Sequence, residues 1–433
     1  MPGNDRQDDG PALSRDIALA TWGLFAGLAL LMVAAGLFGT MLGVRSELVG
    51  LSTGLSGLIS ASYYVGFLAG SKYTLEALSR VGHIRVYAAL ASLLSAAIIL
   101  VGLVNEPIAW IGLRFVTGIS LAGIYVVAES WLNDLANNEN RGRLLGIYSV
   151  ISAGAFGGGQ LLIAGFDAKR VSGYALAAVL TSLAVAPVAL SEASAPPVVN
   201  ANDRISLRDL AKTVPTGVGS CFLVGIAHGA LIGMSAIYAT RVGLSVTQTS
   251  LFVTAPMVGG VLFQWPVSAA SDDLDRRAVG VAAALGAAGA GGFLLLGPAD
   301  RPMALVLMLL VGGASYPLYS IAGAYTNDWV QPEHVNAAAS QLITLYGIGA
   351  ILGPFVGAGL MIGLGPIGFY WAIIGLHLLI AAFLLYRMSV WHSPLAKRPW
   401  SEVSLPARAF FVPATVIAMG RRRSRRRRLS PRE

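Results

Sequence analysis

The chain has 433 residues, of which 55% are apolar and only 12% charged, with a formal net charge of +8 and a mean hydropathy of +0.68. A soluble globular protein of this length needs more polar surface than this composition supplies, so the sequence excludes that class and favours a protein embedded in lipid. The single cysteine, Cys221, excludes an intramolecular disulfide and a cysteine-based metal cluster.

Long apolar stretches follow one another along the chain. A helix needs about 20 mostly apolar residues to cross the hydrocarbon core of a membrane. Such stretches lie at about 17–40, 54–76, 86–104, 108–131, 143–166, 171–191, 214–240, 249–270, 278–297, 302–326, 337–362 and 366–387. The sequence therefore predicts an all-α membrane protein with twelve transmembrane helices. The first stretch is too long for a signal peptide and lacks a clear cleavage site, so we expect it to stay in the membrane.

The two halves of the chain repeat each other at a spacing of about 193 to 195 positions. The segment AGIYVVAESWLNDLANNENRGR of the first half corresponds to ASYPLYSIAGAYTNDWVQPEHVNAA of the second. A parallel repeat of six helices predicts two bundles related by a pseudo-twofold axis along the membrane normal, around one central cavity that opens to either side in turn. The repeat pairs three residues of the first half with three of the second: Tyr125, Asn133 and Asp134 with Tyr319, Asn327 and Asp328.

The repeat and the apolar stretches together divide the chain into five parts. A polar linker that contains proline separates the two bundles, as expected between semi-independent units. The parts are a cytoplasmic amino-terminal segment at 1–16, the first bundle at 17–191, the linker at 192–213, the second bundle at 214–387 and a basic tail at 388–433.

Basic residues predict the orientation in the membrane. If the amino terminus is cytoplasmic, 24 of the 30 lysines and arginines lie on the inner side and five on outer loops. Without the tail the comparison is 12 against five, which still satisfies the positive-inside rule. We therefore expect both termini in the cytoplasm of a bacterial cell.

The tail contains the run RRRSRRRR at 421–428. Such a run is attracted to anionic lipid headgroups, whereas sequence-specific binding of nucleic acid needs a folded reading element. We expect membrane lipids, and not nucleic acid, as its partner.

Two residues of the fourth stretch are candidates for the cavity. Arg114 lies about 9 Å from the predicted outer end of its helix. A charge inside a span faces water or another helix, so a role in binding or coupling is the first hypothesis, and snorkelling to the outer surface is the alternative. Tyr125 follows eleven positions later on nearly the same helix face, so we expect both residues to line the cavity.

Glu129 and His228 are the titratable candidates. Glu129 is one turn beyond Tyr125, and it either carries a coupling proton or holds the inner loop in place. His228 lies near the middle of the seventh stretch, where a lone histidine is either a coupling group or a hydrogen-bonded packing residue. Gln160 and Gln264 are expected to bridge helices.

Two loops carry related charged motifs. QWPVSAASDDLDRRAV follows the eighth stretch and contains Asp272, Arg276 and Arg277, and GSKYTLEALSRVGHIRV follows the second stretch and contains Arg80 and Arg85. These loops, the RFVTGISLAG segment of the fourth stretch, the duplication and the twelve spans resemble the major facilitator superfamily over residues 17–390. AESWLNDLANNENRGRLLGIYS and QWP are similar to a subgroup of bacterial permeases whose transported compounds are mostly unassigned.

The resemblance implies a conformational latch. Charges at helix ends on one face pair across the two bundles only when that face is closed. We predict that Asp272 pairs with Arg141 or Arg143 and stabilises the outward-open state, while the alternative is that these charges only set the topology.

These observations favour a secondary transporter that moves a small molecule across the bacterial cytoplasmic membrane by alternating access, with proton-coupled export as the first hypothesis. An uptake symporter or uniporter is the nearest alternative, and a transporter-fold receptor or scaffold is an alternative of another class. The chain has no phosphate-binding loop, no metal-ligand spacing and no nucleophile triad, so we expect neither enzymatic activity nor a bound cofactor or metal. We also expect the protein to be a monomer.

Overall fold

The computed structural model describes residues 15–135, 141–191, 206–297, 299–300, 302–331 and 334–390, without the side chains of 15–20, 133–134, 141–143, 145–146 and 336. The predicted lipid-binding run at 421–428 lies outside these residues. All statements on structure below concern this described part of the chain.

The described residues form helices joined by short connections, with one 3₁₀ turn at Leu162–Gly165. The α-helices are α1 (Arg15–Leu48), α2 (Thr53–Val81), α3 (His83–Leu103), α4 (Pro107–Leu135), α5 (Arg141–Leu161), α6 (Val171–Leu183), α7 (Val185–Ala189), α8 (Leu207–Thr213), α9 (Pro215–Arg241), α10 (Val246–Asp273), α11 (Arg276–Leu294), α12 (Pro302–Ser315), α13 (Pro317–Trp329), α14 (Val335–Leu364) and α15 (Gly368–Val390).

Twelve crossings result from these helices, because α6 with α7, and α12 with α13, each make one. Eleven of the crossings are long and apolar enough to span a membrane on their own composition. The twelfth is α2, whose 29 residues would reach about 44 Å. Its most apolar stretch, residues 53–70, contains no charge, but its glycines, serines and tyrosines lower the mean hydropathy. The predicted all-α fold with twelve transmembrane helices is confirmed.

The same packing scheme appears in both bundles. In the first bundle α1 packs on α5, α2 on α4, and α3 on α6. In the second bundle the corresponding pairs are α9 with α14, α10 with α12, and α11 with α15. The bundles meet where α2 lies along α14 and where α5 lies along α10, which are again corresponding pairs. The internal repeat of the sequence is therefore a repeat of helix packing.

Small residues allow the closest of these helix approaches. A Cβ atom added at Gly118 of α4 would overlap the carbonyl oxygen of Tyr63 on α2. One added at Gly349 of α14 would overlap the carbonyl oxygen of Phe222 on α9. In the membrane the lipid tails are as apolar as the helix surfaces, so close packing of this kind is a main source of helix association.

Three crossings differ from the sequence prediction, and one of them is the sixth, which is interrupted at Ala184 between α6 and α7. The first stretch was expected to end near residue 40, but α1 continues to Leu48 because its polar end, including Arg45, is bound by other helices. The tenth stretch was expected to be one helix, but it is interrupted after Ser315 because Pro317 has no N–H to continue the backbone hydrogen bonds.

Candidate functional site

A cavity lies between the two bundles, enclosed by α1, α2, α4, α5, α9 and α10. It takes residues from the last half of α1 and the first half of α2, so it belongs to the predicted outer half of the molecule. Its volume, taken as the space open to the centre of a water molecule, is about 90 Å³, which is enough for several waters. We call it the central cavity, and its polar and aromatic lining includes Phe38, Ser56, Tyr63, Tyr64, Arg114 and Gln160.

Arg114 supplies the charge of this cavity. Its guanidinium carbon lies 4.5 Å from the ring centre of Tyr63 and 5.5 Å from that of Phe38, which are distances of cation–π contact. Its Nε atom is buried without a hydrogen-bond partner, and no carboxylate of the described residues forms an ion pair with it. The side chain is therefore positioned by aromatic faces and carries an uncompensated charge.

Tyr125 and Glu129 lie deeper in the first bundle, outside the lining of the central cavity. The hydroxyl of Tyr125 donates to the sulfur of Met32 at 3.0 Å. Glu129 is only 4% exposed, and its Oε1 accepts from the hydroxyl of Tyr148 at 3.5 Å. Glu129 also interacts electrostatically with Tyr319 of the second bundle. The structure thus places a buried carboxyl group close to both bundles.

His228 belongs to a hydrogen-bonded network within the second bundle. Its Nε2 lies 3.2 Å from the carbonyl oxygen of Ser315 and must donate to it, so its Nδ1 accepts from the hydroxyl of Tyr346 at 3.0 Å. His377 donates from Nδ1 to the carbonyl oxygen of Ile373 at 2.7 Å, so its Nε2 accepts from the Ser315 hydroxyl at 2.7 Å. All four ring nitrogens are used with both histidines neutral.

This network joins α9, α12, α14 and α15, which corresponds to the packing alternative for His228. Sequence reasoning did not single out His377, whose only signal was a histidine in the middle of the last apolar stretch. Gln160 and Gln264 also bridge helices, as expected. Gln160 accepts from Thr254 at 3.2 Å between the bundles, and Gln264 donates to Ser320 at 2.7 Å within the second bundle.

A bidentate ion pair joins the bundles at the predicted outer end. Arg241, at the end of α9, donates from Nε and Nη2 to the two carboxylate oxygens of Glu47, at 2.9 and 2.7 Å. Its Nη1 also donates to the hydroxyl of Thr53. We call Glu47, Thr53 and Arg241 the outer clasp. Sequence reasoning missed it, because the internal repeat relates the two helix ends without showing that their side chains meet.

Nearer the predicted inner end, the charged loop motif binds within the second bundle. Arg276 donates to Asp328 at 2.7 Å and to Asp272 at 3.0 Å, and the side chains of Arg276 and Asp328 are 1% and 0% exposed. Arg277 donates to Asp275 at 2.9 Å. These bonds tie the connection between α10 and α11 to the end of α13.

The other predicted latch residues have different positions. Arg80 donates to Glu76 at 2.6 Å on an exposed face of α2, and Arg85 is exposed on α3. The side chains of Arg141 and Arg143 lie outside the described residues, so the latch with Asp272 stays a prediction. The side chains of the repeat residues 133 and 134 lie outside them as well.

Comparison with known families gives two matches that together extend over most of the sequence. The family described as "Major Facilitator Superfamily" matches residues 217–428, and the family described as "Sugar (and other) transporter" matches residues 32–191. A protein of Escherichia coli named "Uncharacterized MFS-type transporter YcaD" is 28% identical over 340 residues, which cover 78% of this chain and 88% of that protein.

Solved structures with the same fold include two transporters. The nucleoside transporter NupG superposes with a TM-score of 0.68 at 13% identity, over 86% of this chain and 98% of the other. A bacterial homolog of the human lysosomal transporter Spinster, inward-facing and unoccupied, superposes with a TM-score of 0.65 at 15% identity, over 94% of this chain and 99% of the other. At these identities the likeness concerns the fold alone.

Proposed function

The chain belongs to the major facilitator superfamily, and from this membership we propose that it exports a small molecule in exchange for protons. Membership makes the protein a membrane transporter that works by alternating access and not an enzyme. With bacterial relatives, the cytoplasmic membrane is its expected location. Proton coupling, the outward direction and the cytoplasmic position of both termini are the parts that we propose.

The observation that carries the proton coupling is the burial of Glu129. A carboxyl group takes up or releases a proton when the water around it changes, because desolvation and hydration favour different protonation states. When alternating access admits water to one side, the same group releases its proton there. Glu129 is 4% exposed and interacts with tyrosines of both bundles, so a relative movement of the bundles changes its environment.

The outward direction is proposed from the segment GIGAILGPFVG of α14, which resembles the antiporter motif of the family. In the family that motif normally lies in the fifth span, where this chain has GAFGGGQ without the proline. Gly353 of the α14 segment lies against the backbone of α9, and the proline that follows it contacts both bundles. Cβ atoms at Gly57 of α2 and Gly233 of α9 would lie 3.2 and 3.0 Å from atoms of Pro354. The motif thus lies at the contact between the two bundles, where a change in the angle between them would alter its contacts.

Proton movement in liposomes tests the proposal. Purified protein is reconstituted into vesicles that enclose a pH-sensitive dye, and compounds of a broad library are added outside. Exchange for protons makes the lumen alkaline, symport makes it acidic, and uniport leaves its pH unchanged, whatever the orientation of the protein. Alkalinisation is expected, and a library without any transported compound would contradict transport itself.

Glu129→Gln separates coupling from transport. We expect the compound-dependent pH change to fall to background in this variant, while exchange of labelled compound across the membrane continues, because glutamine cannot carry the proton. Glu106→Gln is the matched control, since Glu106 is exposed between α3 and α4. A pH change that persists in Glu129→Gln would exclude Glu129 as the carrier.

A further inference from the structure

The central cavity has a positive charge without a fixed counterion. Arg114 is its charged lining residue, and none of the residues that line it is acidic. The guanidinium group has five N–H donors, yet within the described residues its contacts are the faces of Tyr63 and Phe38. A desolvated charge without a partner is unfavourable, so the cavity is a better site for an anion than for a cation.

Hydroxyl groups beside Arg114 are also available as donors. Tyr63 and Tyr64 line the cavity, and neither hydroxyl has a hydrogen bond to another described residue. The hydroxyl of Ser56, two turns earlier on α2, is buried in the same lining without a partner. An anionic oxygen bound by arginine and by hydroxyl donors forms charge-assisted hydrogen bonds, which are stronger than neutral ones.

The rest of the lining is suited to an apolar body. Aliphatic and aromatic side chains of both bundles surround the polar groups, among them Phe38, Ile59, Leu121, Phe156 and Ile232. An inorganic ion or a polyanion would leave this surface uncovered, and a single arginine compensates a single negative charge. The chemistry of the cavity therefore matches one anionic group on an otherwise apolar molecule.

We propose that the substrate is an organic monoanion, such as a carboxylate, whose charged group binds the guanidinium of Arg114 and whose apolar part lies between the two bundles. This inference rests on the proposed transport function and adds the class of the transported compound. Arg114 is the specificity-determining residue, and the hydroxyls of Ser56, Tyr63 and Tyr64 supply further donors.

Charged thiol reagents test this without knowledge of the natural substrate. Gly39→Cys in a Cys221→Ser background places one thiol in the lining, at a position where an added Cβ meets no atom within 4 Å. The probes are the anionic 2-sulfonatoethyl and the cationic 2-trimethylammonioethyl methanethiosulfonates. Their labelling rates are divided by the rates with a free thiol in solution, which gives an anion-to-cation ratio for the cavity.

We expect this ratio to exceed one, and to fall by about tenfold or more when Arg114→Gln is added, because one elementary charge then leaves the site. Arg114→Lys keeps the charge and should retain most of the ratio, which separates a loss of charge from a loss of folding. Arg170→Gln is the matched control, since Arg170 is exposed and pairs with Asp167 outside the cavity.

The outcomes distinguish this inference from the transport function. A ratio that is the same with arginine and glutamine at position 114 would overturn the anion site while leaving an accessible cavity and transport intact. A thiol that reacts with neither reagent would show a cavity closed to both sides and would count against both proposals. A ratio below one in the unchanged cavity would show preference for cations and overturn the assignment.

Discussion

Two arginines of the first bundle show how the environment of one residue type decides its role. Arg45 is 3% exposed, donates to the carbonyl oxygens of Val101 and Gly102 at 2.8 and 3.2 Å, and lies over the rings of Trp110 and Tyr174. It therefore stabilises the end of α3, where the helix dipole favours a cation. Among the described residues, Arg114 has aromatic contacts but no such acceptors, and so remains available to a ligand.

Arg45→Gln should destabilise the protein without changing the selectivity of the cavity. Removing the guanidinium leaves buried carbonyl oxygens without their donors, at a cost of about 2–4 kcal/mol in the free energy of unfolding. Thermal unfolding in detergent measures the loss, and the anion-to-cation labelling ratio should be unchanged. Arg170→Gln should change the unfolding temperature very little, because exposed ion pairs contribute about 1 kcal/mol or less.

At this scale the sequence indicates the residue type but not its partners. Arg114 was recognised as a candidate because a charge inside an apolar stretch needs a reason to be there. The role of Arg45 was not recognised, because its acceptors are 56 to 57 positions away and are backbone atoms, which leave no pattern in the sequence. For the same reason the link between His228 and His377 through Ser315 became visible only in three dimensions.

Hydropathy predicts which segments of the chain form helices, but tertiary contacts decide the residues at which these helices begin and end. All twelve crossings were predicted, since a long apolar run has few alternatives in a membrane. The end of α1 and the interruption between α12 and α13 were not. The first depends on acceptors supplied by α3, and the second depends on whether neighbouring helices accept a proline break or a proline kink.

Close helix contact predicts different effects for two glycines of corresponding helices. A Cβ at Gly349 of α14 would overlap backbone of α9, so Gly349→Ala should destabilise the second bundle by about 1–3 kcal/mol. A Cβ at Gly158 of α5 meets no atom within 4 Å, so Gly158→Ala should be neutral or slightly stabilising through helix propensity.

Thermal unfolding of the two variants side by side measures this difference. Equal stability of Gly349→Ala and the unchanged protein would show that α9 and α14 separate at no cost, and the packing argument for this helix pair would be wrong.

For the whole molecule, the outer clasp is the interaction that resists opening of the predicted outer side. Arg241→Gln removes it, so the thiol of the Gly39→Cys variant should react faster with reagents added from outside intact cells. Exchanging the charges, with Glu47→Arg and Arg241→Glu together, should return the labelling rate towards that of the unchanged pair, whereas each single exchange places like charges together. No recovery in the double variant would mean that the pair does not control access.

Charge movement follows from combining the two proposals. Exporting one monoanion while admitting one proton moves two elementary charges across the membrane, and a potential of 100 mV contributes about 4.6 kcal/mol to that cycle. A valinomycin-clamped potential, positive in the vesicle lumen, should therefore accelerate uptake of the anion from outside. Symport of the same anion with one proton carries no net charge, and its rate should be independent of the potential.

The outer clasp also bears on how the two repeats of the chain arose. Glu47 and Arg241 are 194 positions apart, the same interval that relates Tyr125 to Tyr319. They are thus equivalent positions of the two repeats, facing each other across the pseudo-twofold axis. In a symmetric pair of identical subunits each residue on the axis meets its own copy, so this place would hold two acids or two bases. An attractive contact here requires that the two repeats differ in sequence, so a homodimer of one six-helix unit could not have formed it.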